Sequence, residues 1–307
     1  MAITQRHWEL AYEHPLHAPS LFGHFAATLV PGVERWIDGG LMRALQLGRG
    51  QAILHITPGY PLLVRGWFAE GGDLSLVEPT VRRWLDLDAD SPAIDERLGA
   101  DPDLAALVTQ HPGVRLPGTV DPAEMALRVV FGQQVSTKAA ATMARKFVDA
   151  CGQSVRAELL AAVPEAPGRL FPSPGCVAEL SDDNFPGMPR TRRETVRRLA
   201  TALADGSLVI DPAAPIEETR AQLHSLKGVG PWTVEMIALR GLGYPDAFPH
   251  ADLGVLVAAK GAGLPDQPRA LAARGEAWRP WRSYATQLLW ASSGHEAAQM
   301  PQDRSVS

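Results

Sequence analysis

The first third of the chain alternates short apolar runs with turn residues, a pattern typical of β-strands. The clearest pair of runs flanks Pro58-Gly59-Tyr60-Pro61, a strong turn signal. The predicted strands cover four runs: His7–Glu13, Leu41–Leu47, Ala52–Thr57 and Leu62–Phe68. Helical spacing predicts helices over Pro19–Leu29 and Pro79–Leu87, followed by an acidic linker from Asp86 to Pro102. Residues 1–110 are therefore predicted to form a small mixed α/β sheet domain.

From about residue 112 the apolar period becomes helical. Asp121 is a good N-cap for Pro122–Gln134, with a proline at the first helical position. Ser136 is predicted to cap a second helix that runs to about Ala150. Further helices are predicted at 155–163, 191–204, 215–225, 231–242, 253–259, 267–275 and 281–293. The pattern predicts an α+β protein with a helical region over 111–295 and a tail, 296–307, that we expect to fray.

One turn in the helical region has the chemistry of an anion site. Gly228 and Gly230 allow positive φ and leave no Cβ in the way of a ligand. Pro231 suits the first position of the next helix, whose free N–H groups and positive dipole end, near Thr233, favour phosphate. The alternative is an ordinary helix–turn–helix corner in which glycine serves geometry alone.

A lone carboxylate, Asp252, follows that helix and precedes the apolar run that begins at Leu253. Taken by itself, Asp252 is a helix N-cap. The same position would also hold an ionised carboxylate at the positive end of a helix dipole, where it can do chemistry.

Several motifs, in this order, resemble the AlkA-type group of bacterial 3-methyladenine DNA glycosylase II sequences. The hairpin Leu226-Lys227-Gly228-Val229-Gly230-Pro231-Trp232-Thr233 and the downstream Asp252 are similar to the helix-hairpin-helix and catalytic aspartate of that superfamily. The other motifs are Arg115-Leu116-Pro117-Gly118-Thr119-Val120-Asp121, Phe131-Gly132-Gln133-Gln134-Val135-Ser136, Phe171-Pro172-Ser173-Pro174, Gly187-Met188-Pro189 and Trp278-Arg279-Pro280-Trp281-Arg282-Ser283-Tyr284-Ala285. Together they cover about residues 110–295, and two helical subdomains are expected to flank a cleft.

The resemblance implies an enzyme that flips an alkylated purine out of duplex DNA and hydrolyses its N-glycosidic bond, starting base excision repair. Asp252 falls at the catalytic position. Trp232 stands where relatives that also cut the strand carry an imine-forming lysine, so no AP lyase activity is expected. Trp232 and Trp281 are expected to stack on the base, and Met236 departs from the aromatic residue that the group often has there. Gln134 falls at the position that wedges into the emptied stack.

No cofactor is expected for the chemistry. The resemblance does imply a structural monovalent cation, K⁺ or Na⁺, held by the backbone carbonyls of His224, Leu226 and Val229. Gly228, Gly230 and Thr233 are then the DNA backbone contacts, and the partner is double-stranded DNA carrying alkylated bases, bound by a monomer.

Charge argues weakly against a nucleic-acid partner, because the net charge is −5. Residues 1–110 hold 14 acidic and 8 basic residues, whereas the remainder holds 20 and 21, so the helical region is near neutral. The two cysteines exclude a four-cysteine iron–sulfur cluster. With neither an apolar run that could span a membrane nor a signal-peptide pattern, we expect a cytoplasmic protein.

Two other functions fit parts of the sequence. One is a helix-hairpin-helix DNA-binding protein without catalysis, which leaves Asp252 and the aromatic pair unexplained. The other is a helical interaction protein in which the Gly-x-Gly corner is only structural.

Overall fold

The computed structural model describes residues 3–302. Its N-terminal part is a five-stranded antiparallel sheet in the order β1-β5-β4-β3-β2. The strands are β1 (Thr4–Leu10), β2 (Glu34–Ile37), β3 (Gly40–Leu47), β4 (Gly50–Thr57) and β5 (Leu62–Phe68). A helical region follows, so the α+β prediction is confirmed. The last three predicted strands match closely, whereas the first begins three residues earlier than predicted and the short β2 was missed.

Both faces of the sheet are covered. On one face, α1 (Ala18–Ala27) and α2 (Val77–Trp84) bury Phe22 and Trp84 against the strands. On the other face, Leu159 of α7 (Ala157–Ala162) packs with Ile53 of β4. The sheet thus packs directly on the helical region.

The segment predicted to be a linker is folded, so that prediction is wrong. It contains α3 (Ser91–Gly99), and α4 (Ala105–Gln110) comes next. The Asp90 carboxylate caps α3 by accepting from the Ala93 N–H at 3.1 Å, and Ile94 and Leu98 lie on the same face of α3 and are buried. This face belongs to the same apolar core as Trp278, so tertiary packing stabilises a segment whose charge suggested an exposed chain.

The remaining helices form two packed groups. Their bounds are α5 (Pro122–Phe131), α6 (Thr137–Cys151), α8 (Pro174–Glu179), α9 (Arg190–Ala204), α10 (Ile216–Ser225), α11 (Pro231–Arg240), α12 (Leu253–Gly261), α13 (Pro268–Gly275) and α14 (Arg282–Ser292). One core is formed by α5, α6 and α8–α11. The other joins α3 and α4 to α12–α14. The domain boundary at residue 110 stays a prediction.

A buried ion network ties the sheet to α5. Arg43 of β3 pairs with Glu34 of β2 and with Glu124 of α5, and Arg128 contacts both carboxylates at 3.1–3.2 Å. Burial by itself would raise the pKa of Glu34, but Arg128 and Arg43 hold it below its ordinary value. Two carboxylates balance two guanidinium groups, so the junction carries charged groups without a net charge.

The beginning of the tail is ordered against α1, contrary to the fraying that we expected. A 3₁₀ turn covers Glu296–Ala298, and a Cβ on Gly23 would lie 2.4 Å from the Gln299 carbonyl oxygen. The rest of the predicted tail, 303–307, lies outside the described residues. No helix within residues 3–302 is long and apolar enough to cross a membrane.

Candidate active site

A cleft of about 640 Å³ lies between the two helical groups. One side is formed by α5, α6 and the turn between them, and the other by α12 and α14. Helix α11 supplies Trp232, Met236 and Arg240, and α1 supplies His24 and Thr28. Asp252 also lines the cleft, so the structure brings this carboxylate to the same space as Trp232 and Met236.

The hairpin between α10 and α11 needs its two glycines for different reasons. Gly228 has φ +95°, and a Cβ there would lie 1.9 Å from the Thr195 hydroxyl on α9. Gly230, which precedes α11, has φ −93°, and a Cβ there would meet no heavy atom within 4 Å. The prediction of positive φ therefore holds for Gly228 but is wrong for Gly230, whose bare surface leaves the N-terminus of α11 open to an anion.

Asp252 is held by two hydrogen bonds, one to each carboxylate oxygen. As the N-cap of α12, its Oδ1 accepts from the Val255 N–H at 3.1 Å, and its Oδ2 accepts from the Trp232 indole N–H at 2.9 Å. The two interpretations of Asp252 are therefore compatible, because the cap fixes the carboxylate at the mouth of the cleft.

The second aromatic residue of the cleft is Trp290 and not Trp281. Trp281 precedes α14, packs edge-on against Tyr284 at 5.6 Å between ring centroids, and does not line the cleft, so its predicted role there is wrong. Trp290 lies nine residues further on, which corresponds to the opposite side of an α-helix. The indoles of Trp232 and Trp290 are thus the aromatic surfaces available in the cleft.

Arg240 forms a buried positive wall beside Trp290. Its guanidinium donates to the Pro117 carbonyl at 3.2 Å and to Gln287 Oε1 at 3.0 Å, and its central carbon lies 4.9 Å from the Trp290 ring centroid. Burial lowers the pKa of Arg240 to about 9, and the negative charge of Asp252 opposes that shift.

The chain is similar to several known proteins. Residues 7–121 match the AlkA N-terminal domain. Over 303 residues the chain is 47% identical to a Mycobacterium tuberculosis protein named probable bifunctional transcriptional activator/DNA repair enzyme AlkA, covering 95% of this chain and 59% of that protein. It is 28% identical to Escherichia coli DNA-3-methyladenine glycosylase 2, covering 94% of this chain and 98% of that protein. This chain is homologous to the AlkA-type proteins.

The chain also shares its fold with a solved structure. The 3-methyladenine DNA-glycosylase of Archaeoglobus fulgidus superposes with a TM-score of 0.78 at 20% identity, over 94% of this chain and 98% of that one. The chain spans less than two thirds of the length of the mycobacterial relative.

The α5–α6 turn presents Gln134 on the surface. Gln134 is exposed and has φ +55°, which is uncommon for a residue other than glycine. The neighbouring Gln133 donates to the Gly228 carbonyl at 3.1 Å and to the Thr233 hydroxyl at 3.0 Å. The turn and the hairpin therefore form one connected surface, with Thr233 buried behind it.

The three carbonyls predicted to hold a cation lie in the hairpin. The Leu226 carbonyl accepts from the Val229 N–H at 3.0 Å, whereas the His224 and Val229 carbonyls accept no hydrogen bond from residues 3–302. These two oxygens have no protein donor, which fits a monovalent cation. Within the same residues, no group of three or more His, Cys, Asp or Glu side chains is placed to hold a metal ion.

The arginines of α9 are mostly paired. Glu194 accepts from Arg190 at 3.0 Å and from Arg198 at 3.1 Å, and Asp182 lies 2.7 Å from Arg197. These surface pairs add little net positive charge for a DNA backbone.

His24, Arg240 and Trp290 are among the cleft residues that were not predicted from the sequence. His24 belongs to α1 of the sheet domain and reaches the cleft only through tertiary packing. Arg240 has the helical spacing of a core position, which gives no sign that a charged group is buried there. Trp290 could have been found by noting that it and Trp281 lie on opposite sides of α14.

Proposed function

We propose that this chain is a monofunctional DNA N-glycosylase that releases alkylated purines from duplex DNA and starts base excision repair. The observation that carries the proposal is the position of Asp252, fixed by two hydrogen bonds in a cleft with two indole rings. The AlkA-type relatives and the shared fold support the same reaction class.

The chemistry follows from a fixed negative charge beside a breaking bond. Cleavage of an N-glycosidic bond develops positive charge on the deoxyribose, and the Asp252 carboxylate would stabilise that charge and help to orient water. A base alkylated at N3 or N7 is already cationic, so it leaves without a strong general acid. Trp232 and Trp290 would hold such a base, and cation–π attraction contributes about 0.5–2 kcal/mol.

DNA would be held by the hairpin and opened by the α5–α6 turn. The N–H groups at the start of α11, next to Gly230, suit a phosphate, and a monovalent cation on the His224, Leu226 and Val229 carbonyls would add a positive charge there. Gln134, which projects from the adjoining turn, would fill the space that the flipped nucleotide leaves. The protein would bind DNA as a monomer and act in the cytoplasm.

The lack of a suitable lysine argues for hydrolysis without strand cleavage. The sequence has four lysines: Lys138, Lys146, Lys227 and Lys260. None of them lines the cleft, and Trp232 occupies the position of an imine-forming amine. Lys227 is exposed on the hairpin. The product is therefore expected to be an intact abasic strand.

A release assay tests the proposal. Duplexes carrying 3-methyladenine, 7-methylguanine or hypoxanthine are incubated with the protein, and both free base and strand length are measured. Release of free base from an alkylated duplex, with strand breaks only after alkali, is the expected result. Salt-sensitive binding to an abasic duplex without any base release would instead indicate a DNA-binding protein that lacks catalysis.

A further inference from the structure

His24 is a polar group of the cleft that the proposed chemistry does not use. It lies on α1, is partly buried, and lines the cleft together with Trp232, Trp290 and Asp252. Its backbone carbonyl accepts from the Thr28 hydroxyl at 2.8 Å, but neither nitrogen of its ring has a hydrogen-bond partner within residues 3–302. Both ring nitrogens keep some accessible surface, because neither is among the fully buried, unpaired polar atoms of the described residues.

Three other polar side chains that line the cleft are already used or can act in one way only. Arg128 pairs with Glu34 and Glu124 and donates to the Thr28 carbonyl at 2.7 Å. Gln287 accepts from Arg240 through Oε1, so its side chain has only N–H groups left to offer. Asp252 accepts only. An uncharged imidazole differs from these three groups, because it carries one donor and one acceptor and its tautomer can change. The second imidazole of the cleft, His295, already accepts from the Ala297 N–H at 3.1 Å through Nδ1.

His24 is kept uncharged by its surroundings. Burial lowers its pKa well below the usual 6.5, and the positive charges of Arg240 on α11 and Arg128 on α5 lower it further. The carboxylate that lines the same cleft is Asp252, at the start of α12. At neutral pH the ring therefore adds no positive charge that would repel a cationic base.

We propose that His24 is the specificity residue that hydrogen-bonds the C6 edge of the purine held in the cleft. It donates to the oxygen of a 6-oxo purine, and in the other tautomer it accepts from the amine of a 6-amino purine. One side chain thus recognises both classes, whereas an arginine or a carboxylate would favour one of them. This inference rests on the proposed function, since it takes a purine to be the occupant of the cleft.

Two measurements test the inference separately from the proposed function. The first is single-turnover release of 3-methyladenine, a 6-amino purine, and of 7-methylguanine, a 6-oxo purine. The second is quenching of tryptophan fluorescence by free adenine, hypoxanthine or unsubstituted purine, which needs no catalysis. The variants are His24→Phe, which keeps a ring but removes both hydrogen-bonding atoms, and His24→Gln, which restores a donor and an acceptor. His7→Phe, at an exposed position on β1, is the matched control.

A neutral hydrogen bond predicts changes of about 3- to 10-fold. His24→Phe is expected to slow release of both bases by that factor and to weaken binding of adenine and hypoxanthine equally. Binding of unsubstituted purine should stay unchanged, His24→Gln should recover most of the loss, and His7→Phe should behave as wild type. The melting temperatures of the variants check that each has folded.

Failure of the proposed function and failure of the inference about His24 give different results. If wild-type protein releases no base, the proposed function is wrong, and the binding series still decides the role of His24. Equal binding of adenine and hypoxanthine by wild type and a folded His24→Phe protein would overturn the inference. A loss in His24→Phe that His24→Gln does not recover would also overturn it, because the cause would then be packing and not hydrogen bonding.

Discussion

Substitutions at the two glycines of the hairpin should separate effects on folding from effects on DNA binding. Gly228→Ala places a Cβ 1.9 Å from Thr195 Oγ1 and forces alanine into φ +95°. The positive φ costs about 1–2 kcal/mol and the overpacking about 1–3 kcal/mol. We therefore expect Gly228→Ala to lower the free energy of unfolding by about 2–5 kcal/mol, a large part of the stability of a typical domain.

A double-mutant cycle with Thr195→Ala tests the packing part of this estimate. Thr195→Ala removes the hydroxyl and methyl groups that the new Cβ would meet, but it leaves the contact with Cβ of residue 195 at 3.0 Å and the backbone strain at residue 228. The cost of Gly228→Ala should therefore be about 1–3 kcal/mol smaller in the Thr195→Ala background, measured by urea denaturation with unchanged m-values. Additive effects of the two substitutions on the free energy of unfolding would show that the contact with Thr195 does not contribute to the cost of a side chain at residue 228.

Gly230→Ala is the matching change for binding. Its φ of −93° is normal for alanine and its Cβ would meet no heavy atom within 4 Å, so unfolding should change by less than about 1 kcal/mol. If the backbone of a DNA strand approaches this position, the methyl group should weaken binding to any duplex sequence by about tenfold or more. Wild-type affinity of a folded Gly230→Ala protein would refute the assignment of the hairpin as the phosphate clamp.

Three further changes test other parts of the account. Trp232→Phe removes the N–H that donates to Asp252 at 2.9 Å. The loss of a hydrogen bond to a charged group costs about 1.5 kcal/mol and should slow base release about tenfold. Unchanged release would mean that the indole does not orient the carboxylate. Asp86 is a buried carboxyl whose pKa is raised to about 6, mainly by burial, so folding favours its protonated form. That stabilisation is full below about pH 4 and is lost as the pH rises to about 6, an effect of about 3 kcal/mol on the free energy of unfolding. Asp86→Asn should flatten the pH dependence of the free energy of unfolding in this window. Parallel curves of that free energy against pH for both proteins would contradict the assignment. Borohydride added during turnover should trap no protein–DNA adduct, and a trapped band lost in Lys227→Ala would reveal imine chemistry at the hairpin.

The sequence predicted most helices of the second region because their starting signals are local. Asp121 caps α5 and Ser136 caps α6 through side-chain acceptors, as the residue types indicate. Helix α3 was missed because its charge density resembles that of a linker. Its stability comes from Ile94 and Leu98, which pack on residues far away in sequence.

The candidate site was only partly predictable for a similar reason. Asp252 and Trp232 follow from local motifs, and the structure adds the hydrogen bond between them. The choice between Trp281 and Trp290 depends on which side of α14 faces the cleft. His24 lies on α1, beside the N-terminal sheet and more than 200 residues before Asp252, so no spacing in the sequence connects the two.

The most direct test of the central claim is base release by Asp252→Asn. Asparagine keeps the helix cap and the size of the side chain, but it removes the negative charge that would stabilise the transition state, and its NH₂ group cannot accept from the Trp232 N–H. The measurement is single-turnover release of 3-methyladenine, beside binding to an abasic duplex and the melting temperature. The account predicts that release falls by at least about a hundredfold while binding and melting temperature stay close to wild type. Near-normal release by a folded Asp252→Asn protein would contradict it.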